Sequence, residues 1–210
     1  MSLALLTLVQ WLSPAFPTGA FAYSHGLEWA AAEDGLCDRD KVGAWITDVL
    51  RFGAGRTDAI LLAHALKGED PDRLTDLARA LAPSAERLRE TDEQGAAFAA
   101  TVAALTGRPL PPRPLPVAIG EAAAPLGLPV ADVVALALHG FAANLVSAAV
   151  RFVPLGQTEG QRILAALHPL ITDLAATAAV APLEAIFTAA FRADLAAMRH
   201  ETLNVRIFKT

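Results

Sequence analysis

A single cysteine, Cys37, stands in 210 residues, which excludes an intrachain disulfide and fits a reducing compartment. It has no cysteine or histidine neighbour at zinc-ligand spacing, and His64, His139, His168 and His200 are scattered, so no dedicated metal cage is expected within the chain. Charge is scarce too. Only 19% of residues are charged, the formal net charge is −5 with a pI near 5.5, and no basic stripe exists for a nucleic acid to lie on. Met1 to Leu12 carries no lysine or arginine, so the positive region of a secretory signal is missing and a cytoplasmic location is expected. No G-x-S-x-G elbow and no strand to carry one is found, and Gly156 to Gly160 is not followed by Gly-Lys-Ser/Thr, so neither an acyl-transfer nucleophile nor a phosphate loop is expected. Ser24 and His25, adjacent in sequence, would point apart on a helix and make no dyad. The most apolar stretch, Val130 to Val150, is interrupted by Asp132, His139 and Asn144, which reads as a core helix rather than a membrane span. His139 is then most simply a satisfied core histidine. No internal repeat is evident.

What the chain has in excess is apolar helix former. Hydrophobic residues make up 54%, which is too apolar for disorder and suggests surface reserved for a partner. Alanine and leucine fill most windows with helical periodicity, so the fold class is all-α, a single bundle of about nine or ten helices. Asp38 is the expected N-cap of a helix through Val42, Trp45, Ile46 and Val49 that Gly53 and Gly55 end, followed by a helix from about Thr57 to Lys67. Asp70 before Pro71, and Ser84 ahead of Glu86, mark two further starts, the second helix reaching about Leu105 with a solvated charged face from Glu86 to Glu93. Gly107 to Pro116, with its five prolines, must be an extended connector laid across one bundle (108–116 as an internal loop). Helices near Val117 to Pro125, Val130 to Val150, Thr158 to Val180 and Leu183 to Met198 complete the reading, which divides the chain into a helical domain 1–198 and a tail 199–210.

Three blocks carry candidate functional residues. In Leu12 to Glu28, LSPAFPTGAFAYSHGLE, Pro14 and Pro17 stop a first helix, Gly19 supplies a permissive turn, and a helix restarting at about Phe21 would present Tyr23, His25 and Glu28 as an exposed patch. The H-x-x-E pair could be half of a metal site but lacks further ligands. In Arg151 to Arg162, RFVPLGQTEGQR, Pro154 and Gly156 make a turn, Thr158 would cap the next helix, and Gln157 and Gln161 align on one face where their amides could reach a partner's backbone. In Arg199 to Thr210, RHETLNVRIFKT, apolar residues alternate with charged ones, so the tail needs a surface: its own domain, or another protein with Arg206 and Phe208 as anchors.

These three blocks, in order and nearly end to end, resemble the urease accessory protein UreF family, with the weakest match from about 68 to 115. The resemblance implies an all-helical homodimeric scaffold, not an enzyme, that bridges the accessory protein UreD (also called UreH), the GTPase UreG and apo-urease during nickel insertion. Nickel is then the cargo of the complex, and no cofactor is expected to be bound tightly by this chain. It further implies that Arg199, His200, Glu201, Arg206 and Phe208 engage UreD, and that Pro17, Gly19, Tyr23, His25 and Glu28 engage UreG. Ala22 stands where many members carry a hydroxyl residue, and Lys209-Thr210 where Arg-Ser is frequent, so the hydrogen bonds made there in the family do not carry over directly. Regulation of GTP hydrolysis by a trans arginine is implied at no particular residue. Two alternatives stay open: a helical metallochaperone using His25 and His200 across a dimer, and a small hydrolase.

Overall fold

Capping chemistry in the sequence sets most helix starts. The computed structural model describes residues 2–210, and among these are ten α-helices, three 3-10 turns and no β-strand. Ser2, Asp38, Asp70 and Ser84 each accept a backbone N–H of the first turn, from Leu5, Lys41, Asp72 and Arg87, at 2.9–3.2 Å. They open α1 (Leu3–Trp11), α3 (Arg39–Phe52), α5 (Pro71–Ala80) and α6 (Ala85–Thr106). Such a cap contributes about 1 kcal/mol to each helix. Gly107, at φ +70°, ends α6 in the left-handed conformation expected of a C-terminal glycine.

Several boundaries depart from the sequence reading. The helix expected to restart near Phe21 does not form: Ala20–Ala22 is a single 3-10 turn, and α2 runs only over Leu27–Glu33. Gly19, His25 and Gly26 all have positive φ, which breaks any helix through the segment. Gly53 caps α3 and α4 (Ala54–Leu66) at once, so α4 begins before Thr57. Pro116 sits inside the first turn of α7 (Leu115–Ala123), where its missing N–H costs nothing. Gly156, not Thr158, precedes α9 (Gln157–Ala178), and Thr158 is exposed without capping it. The helix expected over 183–198 is broken, because the N–H groups of Ala189 and Ala190 donate to the Phe52 carbonyl at 2.7 and 3.2 Å and hold the chain extended between a 3-10 turn at Leu183–Ala185 and α10 (Phe191–His200).

The bundle forms around α4, whose Ala59 to Ala63 run is buried and which packs on α3, α7, α8 (Val130–Phe152) and α9. Each buried isoleucine or leucine there contributes roughly 1.5–3 kcal/mol relative to exposure. α8 is long and apolar enough to cross a membrane by length and composition, yet Val134, Leu138, Leu145, Val146 and Ala149 are buried in the shared core. Its other face carries Asp132, His139 and Asn144, none of them buried. The proline-rich connector crosses α6 at Gly95, where an added Cβ would stand 1.8 Å from the Arg113 carbonyl oxygen. Arg108 donates to the carbonyls of Glu121 and Ala122, both at 3.0 Å, and Leu110 packs on the core, so the connector straps one bundle together.

Candidate functional site

The loop after α1, the first half of α6 and the tail after α10 converge on one buried polar network. It brings Tyr23, His25, Glu28, His200, Arg206 and Phe208 together, but as interior side chains and not as two exposed patches. Tyr23, His25 and Glu28 are 3%, 5% and 8% exposed, which corrects the expected surface patch. The cause is the positive φ of His25, which turns the loop inward under the tail.

Glu28 is the hub. Its Oε1 accepts the Ile207 N–H at 2.8 Å, and its Oε2 accepts the Phe208 N–H at 3.0 Å and lies 3.1 Å from His200 Nε2. The opposite nitrogen of His200, Nδ1, is 2.7 Å from Glu86 Oε2. Arg206 Nη1 closes the outer side of Glu86 at 2.6 Å, and Glu201 accepts the Glu86 N–H at 3.2 Å. The solvated face expected from Glu86 to Glu93 is thus largely interior: Glu86, Arg87 and Glu90 are buried, while Arg89 and Glu93 point outward.

A second cluster lies one turn further along α6. Arg87 pairs with Glu90, Thr210 Oγ1 donates to Glu90 Oε2 at 3.0 Å, and His25 Nδ1 stands 3.7 Å from Glu90 Oε1. The Thr210 carbonyl accepts the Ser24 N–H at 2.9 Å and also the Ser24 hydroxyl, so Ser24 is committed to the tail and activates nothing. Burial works to raise the Glu90 carboxyl, but Arg87 and His25 outweigh it and hold it below the ordinary range. Desolvation, with Arg87 nearby, lowers His25 to about 4. Asp58 faces the same interior across a cavity of about 40 Å³, room for one or two waters, lined also by Thr57, Arg87 and Asp194. Desolvation raises the Asp58 carboxyl to about 7, with Arg87 opposing and Glu90 adding. At the edge of this interior, Tyr23 donates to the exposed Glu93, which also receives Lys209 Nζ at 2.9 Å. Burial followed by the Glu93 contact raises the Tyr23 hydroxyl, and that same donated bond is the main cause lowering Glu93.

Phe208 is buried against Phe152, ring centres 5.4 Å apart, with the Arg151 guanidinium 4.5 Å over its ring. It anchors the tail to its own chain, so the expected outward anchor is corrected. What the tail turns outward is Val205 and Ile207, 83% and 71% exposed, along with Glu201 and Arg206. Arg199 is exposed and covers the face of Trp29 at 5.0 Å. His200 is wholly buried and His25 nearly so, so the two do not present nitrogens to an ion shared across a dimer. Among the described residues no group of three or more His, Cys, Asp or Glu is disposed to hold a metal.

Pro17 is exposed and Gly19 half-buried in the loop whose Thr18 and Ala20 line a groove of about 380 Å³ walled also by α8 and α9. Gln157 and Gln161 are exposed on α9 and line this groove opposite Phe21, Ala143, Asn144 and Ser147. The residues that sequence reading missed are Asp58, Glu86, Arg87, Glu90 and Thr210. Steps of four back from Val102 and Phe98, the buried face of α6, arrive at Gln94, Glu90 and Glu86, which was the available signal.

A UreF family model matches residues 36–168. The chain is 79% identical to the urease accessory protein UreF of Cereibacter sphaeroides strain KD131, with all of both chains covered. It is 51% identical to the protein of the same name from Dinoroseobacter shibae over the full length of both, and 56% identical to that of Jannaschia sp. strain CCS1 over 98% of this chain and 94% of the relative. This is a family of accessory proteins rather than enzymes. The chain belongs to the UreF family of urease accessory proteins.

Proposed function

We propose that this chain is a non-catalytic scaffold of urease maturation, acting in the cytoplasm as a homodimer that joins UreD (UreH), the GTPase UreG and apo-urease so that nickel is delivered as cargo. The observation that carries the reading is that the tail is docked yet turns its apolar side chains outward. Val205 and Ile207 are exposed on the tail that follows α10, whose Phe191, Leu195 and Met198 recur at helical spacing and are 77%, 44% and 47% exposed. Single exposed leucines need no explanation, but a tail and a helix that together expose five large apolar side chains point to a protein partner. UreD is the partner proposed for this surface, and the groove lined by Gln157 and Gln161, with Pro17 and Gly19 in the loop along it, is the one proposed for UreG.

The family roles pass to these residues in altered form. Tyr23, His25, Glu28, His200 and Phe208 act by holding the loop and tail in place, while Arg199, Glu201, Arg206 and their apolar neighbours supply the contact. Size exclusion with light scattering on the chain mixed with its cognate UreD and UreG is expected to give a stable complex of paired stoichiometry. Ile207→Asp is expected to abolish UreD association with the far-ultraviolet helical signal unchanged. Full association by the doubly substituted chain, Phe191→Ser with Ile207→Asp, would overturn the assignment of this surface.

A further inference from the structure

Of the five histidines in the chain, two have hydrogen-bonded ring nitrogens and a third is sealed in the core. His64 Nε2 meets the Ala181 carbonyl at 2.9 Å, His200 lies between Glu28 and Glu86, and His25 is buried with its Nδ1 3.7 Å from Glu90. Among the described residues, the rings of His139 on α8 and His168 on α9 are paired with each other, their centres 5.5 Å apart and their planes inclined by 41°. His168 is exposed and His139 half-buried, and neither is among the buried side chains whose nitrogens are sealed from solvent. Their helices do not leave them loose. Leu138 and Ala142 flank His139 inside the core, and Leu164, Leu167 and Ile171 do the same for His168, so the two backbones are pinned by the longest helix pair of the bundle.

We propose that His139 and His168 form an open, two-imidazole site for one borderline divalent transition metal ion, such as Ni²⁺, Co²⁺ or Zn²⁺, with water in the remaining positions. An imidazole nitrogen bound at about 2.0–2.1 Å places its ring centre about 3.2 Å from the ion, so two rings sharing an ion at tetrahedral to trigonal angles have centres about 5.2–5.5 Å apart. The observed separation of ring centres falls in that range. Imidazole selects borderline metals, whereas Mg²⁺ and Ca²⁺ require oxygen ligands that this pair lacks. Gly140, next to His139, and Gln161, two helical turns before His168, line the groove between α8 and α9, so the pair lies on the two helices that wall the groove proposed for a partner. The site is a property of the isolated chain and stands or falls independently of the scaffold reading.

The test is titration of the untagged full chain with Co²⁺, followed by its ligand-field absorption, with calorimetry for Ni²⁺ and Zn²⁺. Saturable binding of one ion per chain is expected, with no response to Mg²⁺. His168→Gln, at an exposed position, is expected to keep the helical signal and weaken binding on the order of tenfold or more, His139→Ala to do the same, and the double substitution to add little, since one imidazole alone holds an ion poorly. Absence of saturable binding up to millimolar metal, or affinity unchanged in both single variants, would overturn the proposal.

Discussion

His25 and Asp58 face one small cavity and are displaced in opposite senses, which makes them a matched pair in the pH dependence of stability. His25 stays neutral in the fold down to about pH 4, while the unfolded chain takes up that proton near 6.5, so His25 withdraws stability as pH falls through the interval. Asp58 stays protonated up to about pH 7, while the unfolded chain ionises near 3.8, so Asp58 withdraws stability as pH rises through nearly the same interval. Each contributes a slope of at most about 1.4 kcal/mol per pH unit, and between about pH 4.5 and 6.5 the two cancel. Asp58→Asn removes one arm, and stability relative to the unsubstituted chain is then expected to rise with pH. His25→Asn, a residue that tolerates the positive φ at this position, is expected to give the opposite trend. Urea unfolding at four pH values in this window reads both slopes; three parallel curves would show that neither group is held as described.

At the scale of elements, most of the bundle was legible. Polar caps at Asp38, Asp70 and Ser84, prolines from 111 to 116 and helical periodicity in α8 and α9 are local signals, and the all-helical class followed from them. The candidate site was legible only as three sequence blocks. Their union was not, because what turns Tyr23, His25 and Glu28 inward is a left-handed backbone at a histidine, a conformation that propensity does not announce. The charges on α6 misled for a related reason: a row of Glu and Arg is normally solvated, and here it is interior because a tail more than a hundred residues away supplies its donors. The broken helix at 186–190 has the same origin in a distant carbonyl, that of Phe52. One prediction belongs to this scale. Phe208→Ala removes the ring that Phe152 and Arg151 hold, a loss typically of about 3–5 kcal/mol for a buried phenylalanine, though the tail relaxes part of it. Hydrogen exchange is therefore expected to accelerate at Ile207 and Phe208 while α4 stays protected. Unchanged exchange in the tail would mean that the Glu28 carboxylate alone suffices to dock it.

For the molecule as a whole, the consequence is that its two ends are one structural unit. The tail gives N–H groups to Glu28, a guanidinium to Glu86 and a hydroxyl to Glu90, and it takes the N–H groups of Ser24 and His25 through Thr210. Deleting 201–210 therefore does more than expose apolar surface: three largely desolvated carboxylates each lose a donor, although His200 and Arg87 remain beside them. Leaving a buried acceptor short of a donor costs about 1–3 kcal/mol, against a total stability of roughly 5–15 kcal/mol for a domain, so the truncated chain is expected to melt below the full one. The loosening should also be shared. If the tail were a passive strap, only its own footprint would open, whereas the network requires the loop over 20–28 and the first turns of α6 to gain hydrogen exchange together with it. The same coupling gives a partner that grips Val205 and Ile207 a physical route to the loop, since pulling on the tail withdraws the donors that fix Ser24, His25 and Glu28. Exchange measured on the full chain with and without UreD is expected to show protection changing in both segments at once; a change confined to 201–210 would mean that the two ends, though hydrogen-bonded, respond to a partner separately.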